Sequence, residues 1–174
     1  MNIAGPDLLT KEIRHKIDGW LKKFPANQRR SAVIPALKLA QEHNQGWLTE
    51  ELMNAVADYL QIPRIAVYEV ASFYTLFHLK PVGKNRLYLC TNIACQLRNS
   101  EEIANKIKDK LKIGFGETTS DGQFSLFEVE CLGACGGAPA MQVGTTYHEN
   151  LTPEKIEALL ANLAESSNKG GSHV

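Results

Sequence analysis

Apolar residues in the first 78 positions recur at helical spacing, three or four residues apart. The pattern predicts a first helix that ends at Pro25, a second that ends near Gly46, a third with Thr49 as its N-cap, and a fourth that Pro63 opens. This half of the chain is therefore predicted to form a small helical bundle. Four of its aromatic side chains are expected in the core or at a contact between domains: Tyr68, Phe73, Tyr74 and Phe77.

The pattern changes after a short connector, Pro81–Lys84. Period-two alternation and β-branched or aromatic residues then indicate strands, and two further helical stripes follow. The order strand, helix, strand, strand, helix predicts a small α/β layer fold, in which the first two strands are able to pair in parallel. The predicted elements are a strand at Arg86–Cys90, a helix from about Asn99, strands at Phe124–Glu130 and Ala140–Val143, and a final helix from Thr152.

The predicted organisation is a two-part α+β chain. Residues 1–80 form the helical bundle domain, residues 81–165 form the α/β domain, and residues 166–174, rich in Ser, Asn and Gly, form a disordered tail. No internal repeat is present in the sequence.

The composition and charge of the chain argue against some classes of function and favour others. Lys plus Arg and Asp plus Glu both number 19, so the formal net charge is zero, which argues against binding nucleic acid through bulk electrostatics. No stretch approaches the ~20 apolar residues that a membrane span needs, so no direct membrane insertion is expected. Residues 1–7 show no secretory signal, which predicts a reducing, cytoplasmic environment. There, four cysteines favour a metal site or redox chemistry over structural disulfides.

All four cysteines follow predicted strands of the second half. Cys90 and Cys95 flank one loop, and Cys131 and Cys135 flank another, in which most residues are small. If the two strands are parallel, both loops leave the same edge of the sheet and present four thiolates to one point. That arrangement suits a tetrathiolate metal centre, and small loop residues let backbone N–H groups approach sulfur.

The residues alone leave the nature of this site open. Four interpretations of these cysteines are compatible with the sequence. They are buried unreacted cysteines, a structural zinc site, the active site of a thiol–disulfide enzyme, and an iron–sulfur cluster. The spacing matches neither common ferredoxin pattern, and the Cys-x-x-Cys motif of disulfide enzymes is absent. A site with two cysteines and histidine would need His78 or His148. No glycine-rich nucleotide fingerprint and no nucleophile elbow occurs.

Two motifs together resemble the thioredoxin-like [2Fe-2S] ferredoxins, and within them the E subunits of proton-pumping NADH:quinone oxidoreductase. The first motif is the pair of cysteine loops, Cys90-Thr-Asn-Ile-Ala-Cys95 and Glu128-Val-Glu-Cys131-Leu-Gly-Ala-Cys135, followed by Ala138-Pro139. The second is the helical segment Val67-Tyr-Glu-Val-Ala-Ser-Phe-Tyr74. The resemblance extends over residues 10 to 165.

The resemblance implies a thioredoxin-like C-terminal domain and one [2Fe-2S] cluster bound by Cys90, Cys95, Cys131 and Cys135. It implies an electron carrier without catalytic residues of its own, which exchanges one electron with FMN on a partner subunit that also binds NADH. Other peripheral-arm subunits would be further partners, and the assembly would lie at the cytoplasmic side of the inner membrane. The implied enzyme is NADH:quinone oxidoreductase, a translocase.

The sequence is also compatible with two other functions. One is the equivalent diaphorase subunit of an NAD-linked hydrogenase or formate dehydrogenase, and the other is a zinc-stabilised interaction module. The resemblance also suggests a cis Ala138–Pro139 bond. Arg98, three residues past Cys95, is either a solvated loop charge or a cation that raises the potential of the cluster.

Overall fold

The computed structural model of the chain describes residues 8–169. Its contacts divide the chain between Pro81 and Val82 into two compact units. Within the described range, no helix combines the length and the apolar character that a membrane crossing requires.

The first unit consists of helices, as predicted. Threonine hydroxyls cap two of them: Thr10 accepts a hydrogen bond from the N–H of Ile13 at 3.4 Å, and Thr49 accepts one from the N–H of Leu52 at 3.1 Å. The N-cap prediction for Thr49 is therefore confirmed. The helices are α1 (Lys11–Leu21), α2 (Val33–His43), α3 (Glu50–Leu60) and α4 (Arg64–Phe73), with a 3-10 turn at Arg29–Ala32.

One apolar core holds this unit together. Each helix turns its apolar stripe inward, and Ile17, Leu37 and Leu60 are completely enclosed. Phe77 is buried in the same core and Tyr68 is half-buried against it. Phe73 and Tyr74 are exposed instead, so the core alternative of that expectation is wrong for these two residues, and a contact between domains stays a prediction. The reason is the end of α4 at Phe73, after which the backbone of Tyr74 is extended.

The second unit is a five-stranded mixed sheet with helices on it. The strands are β1 (Asn85–Cys90), β2 (Glu117–Thr118), β3 (Phe124–Val129), β4 (Met141–Val143) and β5 (Thr146–His148). Their order in the sheet is β2-β3-β1-β4-β5, with β1 and β3 parallel and the other pairs antiparallel. Three helices complete the unit: α5 (Ile93–Gln96), α6 (Ser100–Leu111) and α7 (Pro153–Lys169).

The core of this unit lies between one face of the sheet and the helices α6 and α7. Leu87 and Leu89 of β1 meet Ile103 and Ile107 of α6, and Ile156 of α7 closes the same cluster. All of these side chains are almost fully buried. After β1, the chain returns through α6 to the end of the sheet at which β1 begins. Strand β3 can therefore run parallel to β1.

Several elements differ from the sequence prediction. The strands β2 and β5 and the single turn α5 were not predicted, because they are too short for a period to be recognised. Helix α7 continues to Lys169, so the prediction of a disordered tail is wrong for residues 166–169, while residues 170–174 lie outside the described residues. The hydroxyl of Ser166 donates to the carbonyl of Asn162 at 2.8 Å, which accommodates a polar residue on this helix.

Candidate metal centre

Both cysteine pairs lie at one edge of the sheet, where the parallel strands β1 and β3 end. Cys90 is the last residue of β1 and is paired in register with Val129, the last residue of β3. Cys131 lies two residues beyond β3. Since both strands run in the same direction, the loops that follow them leave from the same edge. The tertiary structure thus brings together residues 36 or more positions apart in the chain.

The first loop is held by two hydrogen bonds to β3 and by one local hydrogen bond. The N–H of Thr91 donates to the carbonyl of Val129 at 3.2 Å, and the Thr91 hydroxyl donates to Oε1 of Glu128 at 2.8 Å. The side chain of Asn92 then accepts a hydrogen bond from the N–H of Ile93 at 2.8 Å and caps α5. This single helical turn directs Cys95 into the protein, where only 2% of its surface is exposed.

The second loop is built from residues with small side chains. Gly133 has φ +70°, a conformation that favours glycine, and its N–H donates to Sγ of Cys131 at 3.3 Å. A 3-10 turn, Cys135–Gly137, follows, and then the Ala138–Pro139 bond, which is cis as predicted. Cys131 and Cys135 are both exposed. An N–H···S bond of this kind is one of the interactions that tune metal–thiolate centres.

The two cysteine loops lie close enough for groups of one loop to act on thiols of the other. The Cys90 thiol donates to the carbonyl of Glu130, next to Cys131, at a distance of 3.8 Å. Burial raises the pKa of the Cys95 thiol, a hydrogen bond with the backbone of Ala140 opposes that rise, and the neighbouring Cys90 and Cys135 thiols raise the pKa further. Four thiolates at this edge would therefore repel one another unless bound cations compensate their charge.

The donor set of four cysteines fits a binuclear iron–sulfur cluster. Among the side chains of the described residues, no three His, Cys, Asp or Glu are grouped closely enough to hold a single metal ion. A [2Fe-2S] cluster has two irons, each with two protein ligands, so it does not require three donors around one ion. His148 lies on β5, paired with Met141, and His78 lies in the first unit, where its N–H donates to Oε1 of Gln41.

The sequence analysis assigned no role to two acidic residues that lie at this edge. Glu128 accepts the hydroxyl of Thr91, and the side chain of Glu149 packs against Gly137 in the second loop. Glu149 lies 14 positions after Cys135 in the chain, so only the tertiary structure reveals its proximity. Arg98, the cation considered above, lies exposed in the turn after α5, where its N–H donates to the carbonyl of Cys95 at 3.1 Å.

Comparisons with known proteins agree on one family. The model of the thioredoxin-like [2Fe-2S] ferredoxin family matches residues 17–164. The chain is 50% identical over 143 residues to the E subunit of NADH-quinone oxidoreductase from Rickettsia bellii (strain RML369-C), and the match covers 82% of this chain and 86% of that protein. It is 46% identical over 148 residues to the E 2 subunit of the same enzyme from Rhizobium meliloti (strain 1021), where the match covers 85% and 86%.

Among solved structures, the chain is similar to NAD+-reducing [NiFe]-hydrogenase in the air-oxidized state. The TM-score is 0.65 at 17% sequence identity, over 77% of this chain and 24% of the hydrogenase chain. The chain thus spans about a quarter of that protein's length. At this level of identity the similarity shows a shared fold.

Proposed function

The chain belongs to the thioredoxin-like [2Fe-2S] ferredoxin family, and from this premise we propose that it is the electron-carrying subunit of an NADH:quinone oxidoreductase, respiratory complex I. In this proposal Cys90, Cys95, Cys131 and Cys135 bind one [2Fe-2S] cluster. The observation that carries the proposal is the placement of two cysteine loops at the common edge of the parallel strands β1 and β3. The identity of 46–50% to curated E subunits supports the choice of complex.

The residues of this chain bind and position the cofactor. Cys90 and Cys95 are ligands from the protein interior, and Cys131 and Cys135 are ligands from the exposed side. The N–H of Gly133 contributes a hydrogen bond to sulfur, and hydrogen bonds from the N–H and the hydroxyl of Thr91 hold the first loop on β3. When bound, the cluster supplies the exchange of single electrons with FMN on the partner subunit, which also carries the NADH site.

The surface beside the cysteines supports docking of such a partner. Ile93 and Leu97 flank Cys95 on either side, and 68% and 80% of their surfaces are exposed. Exposed apolar side chains of this size favour a protein contact. In this proposal the surface at Ile93 and Leu97 is one part of the contact with the FMN- and NADH-binding subunit, and other peripheral-arm subunits lie nearby. The chain then lies at the cytoplasmic side of the inner membrane without entering it.

The experiment that tests the cofactor is metal and spectroscopic analysis of the full chain, purified without oxygen. We expect two irons and two acid-labile sulfides per chain, and visible absorption that dithionite bleaches. A colourless protein with one zinc would instead support the interaction module. A reversible disulfide within one cysteine pair of the metal-free protein would support a thiol oxidoreductase.

The experiment that tests the electron partner uses NADH. The chain alone is expected to leave NADH unoxidised, because it has no nucleotide fingerprint and a single cluster takes one electron whereas a hydride carries two. Addition of the flavin subunit of a complex I assembly should allow NADH to bleach the visible absorption. If only the diaphorase of a hydrogenase or formate dehydrogenase supports bleaching, the chain belongs to one of those complexes instead.

A further inference from the structure

The side chain of Glu149 packs directly on the second cysteine loop. A Cβ atom at Gly137 would lie 2.6 Å from both Cβ and Cδ of Glu149 and would overlap the carboxylate oxygen Oε2. Gly137 is the last residue of the 3-10 turn that begins at Cys135. The carboxylate of Glu149 therefore fills the space that a side chain at position 137 would need, two residues from a proposed ligand.

Backbone hydrogen bonds hold the segment around Glu149 against the same loop. The N–H of Asn150 donates to the carbonyl of Gly137 at 2.6 Å, and the N–H of Leu151 donates to the carbonyl of Pro139 at 3.1 Å. Leu151 is buried in the core of the unit, which anchors the segment from the other side. The fold thus sets the position of Glu149 beside the Cys135 turn, although the residue itself is exposed.

The neighbouring charges differ from Glu149 in how they are placed. Glu128 accepts a hydrogen bond from Thr91, and Glu130 contributes its backbone carbonyl to the Cys90 thiol. Arg98 is exposed in the turn after α5. Glu149 differs from them because Gly137, in the second cysteine loop, has no side chain and leaves room for it. The group that this contact brings to the loop is therefore the carboxylate of Glu149.

We propose that the carboxylate of Glu149 lowers the reduction potential of the [2Fe-2S] cluster through its negative charge. The missing side chain at Gly137 allows this carboxylate to approach the second cysteine loop. The inference rests on the proposed function. Reduction adds one negative charge to a centre that already has four thiolate ligands, and a nearby carboxylate destabilises that state. Because Glu149 is exposed, solvent and salt limit the effect to a modest size.

The test is the midpoint potential of the full-length chain loaded with iron and sulfide, measured by a redox titration that follows the spectrum of the cluster. Glu149→Gln removes the charge and keeps the shape. We expect it to favour the reduced form by about twofold to tenfold, where tenfold corresponds to 59 mV for one electron. Glu149→Asp keeps the charge and should stay closer to the wild type than the glutamine variant.

Two glycines of one turn provide a matched pair of variants. The methyl group of Gly137→Ala would clash with Cβ as well as with the carboxylate of Glu149, so it displaces the segment that carries Glu149 and should shift the potential in the same direction as Glu149→Gln. Gly136→Ala places its methyl group in open space and should leave the potential unchanged. In the Glu149→Gln background, Gly137→Ala should add little, because the charge is already gone. Asp109→Asn removes an exposed carboxylate from the last turn of α6 and controls for net charge.

The outcomes separate the two proposals. A wild-type chain that binds no cluster overturns the proposed function. A loaded Glu149→Gln variant with the wild-type potential overturns this inference alone, as does an equal shift from Asp109→Asn. If Gly137→Ala does not load, Glu149→Gln and Glu149→Asp still decide the question, with thermal unfolding of each variant as the check on its fold.

Discussion

The thiols of the two loops differ in their surroundings. Cys90 and Cys95 are buried beside Ala138 and Ala140, whereas Cys131 and Cys135 are exposed. The inner pair thus lies in an apolar environment and the outer pair faces solvent. Since burial raises the pKa of Cys95, binding of the proposed cluster would displace its proton, and the bound metal would compensate the charge that is left.

Each of the four cysteines is expected to be required for the cluster. Substitution of Cys90, Cys95, Cys131 or Cys135 by Ala removes one proposed ligand, and the sequence contains no fifth cysteine that could replace it. Loss of an outer-shell partner alone weakens metal sites about 10–100-fold, so loss of a ligand should weaken cluster retention by at least about tenfold. Iron and sulfide content after gel filtration measures it.

The matched control for these variants is Ile93→Ala, which shortens an exposed side chain between Cys90 and Cys95 and leaves every sulfur in place. It should retain the wild-type iron content. Any cysteine variant that also retains full iron content is not a ligand.

At the scale of elements, the start of β1 depends on close contact with β3. Gly83 lies just before β1, and its N–H donates to the hydroxyl of Ser125 at 2.7 Å. A Cβ atom at Gly83 would lie 2.5 Å from the carbonyl carbon of Phe124 and 2.9 Å from its nitrogen. Backbone atoms in a sheet cannot move aside as a flexible side chain can. The absence of a side chain at Gly83 thus permits the parallel pairing that brings the cysteine loops to one edge.

Alanine substitutions at two glycines should therefore have opposite effects on stability. Gly83→Ala is expected to lower the free energy of unfolding by about 1–3 kcal/mol through overpacking against Phe124. Gly19→Ala, in α1 with nothing near its added methyl group, should raise that free energy by about 0.5–1 kcal/mol, since alanine favours helix. Urea unfolding followed by circular dichroism measures both, and a stabilising Gly83→Ala would contradict the contact.

At the scale of the whole molecule, each unit has a core made from its own residues. The helical core contains buried residues from Leu9 to Phe77, and the core of the second unit contains buried residues from Leu87 to Leu160. All four cysteines lie in the second unit. We therefore propose that the second unit is the cluster domain and that the helical unit serves assembly, with Phe73 and Tyr74 among its exposed aromatic side chains.

A fragment from Pro81 to Val174 is expected to bind the cluster without the helical unit. Reconstituted with iron and sulfide, it should show at least roughly half of the visible absorption of the full chain. It contains all four proposed ligands and the core of its own unit, although small domains are only marginally stable. It should fail to co-purify with the flavin subunit. Residues 1–80 contain no cysteine and supply the colourless control.

The opposite results would each change the proposal in a different way. A fragment that binds no cluster would show that the two halves share a core. The domain boundary at Pro81 would then be misplaced. A fragment that joins the flavin subunit normally would show that the surface around Ile93 and Leu97 is sufficient for docking without the helical unit.

The sequence by itself was sufficient for the fold class and for most of the long elements. Helical periodicity, the Thr49 cap and Pro63 located the helices of the first unit, since these signals act over a few neighbouring residues. The α+β architecture with a thioredoxin-like second part is confirmed by the family match. Motif resemblance identified the family and proposed the four ligands, because each cysteine loop is a continuous segment of the chain.

Only the tertiary structure decided which distant residues meet. The pairing of Cys90 with Val129, the contact of Glu149 with Gly137 and the approach of Gly83 to Phe124 join residues 12 to 41 positions apart, where no local periodicity carries information. The same holds for β2 and β5, two- and three-residue strands that exist because a longer neighbour supplies their hydrogen-bond partners. Phe73 and Tyr74 are exposed for a related reason: α4 ends at Phe73, so the apolar stripe of the helix does not continue through these two residues, although both are aromatic.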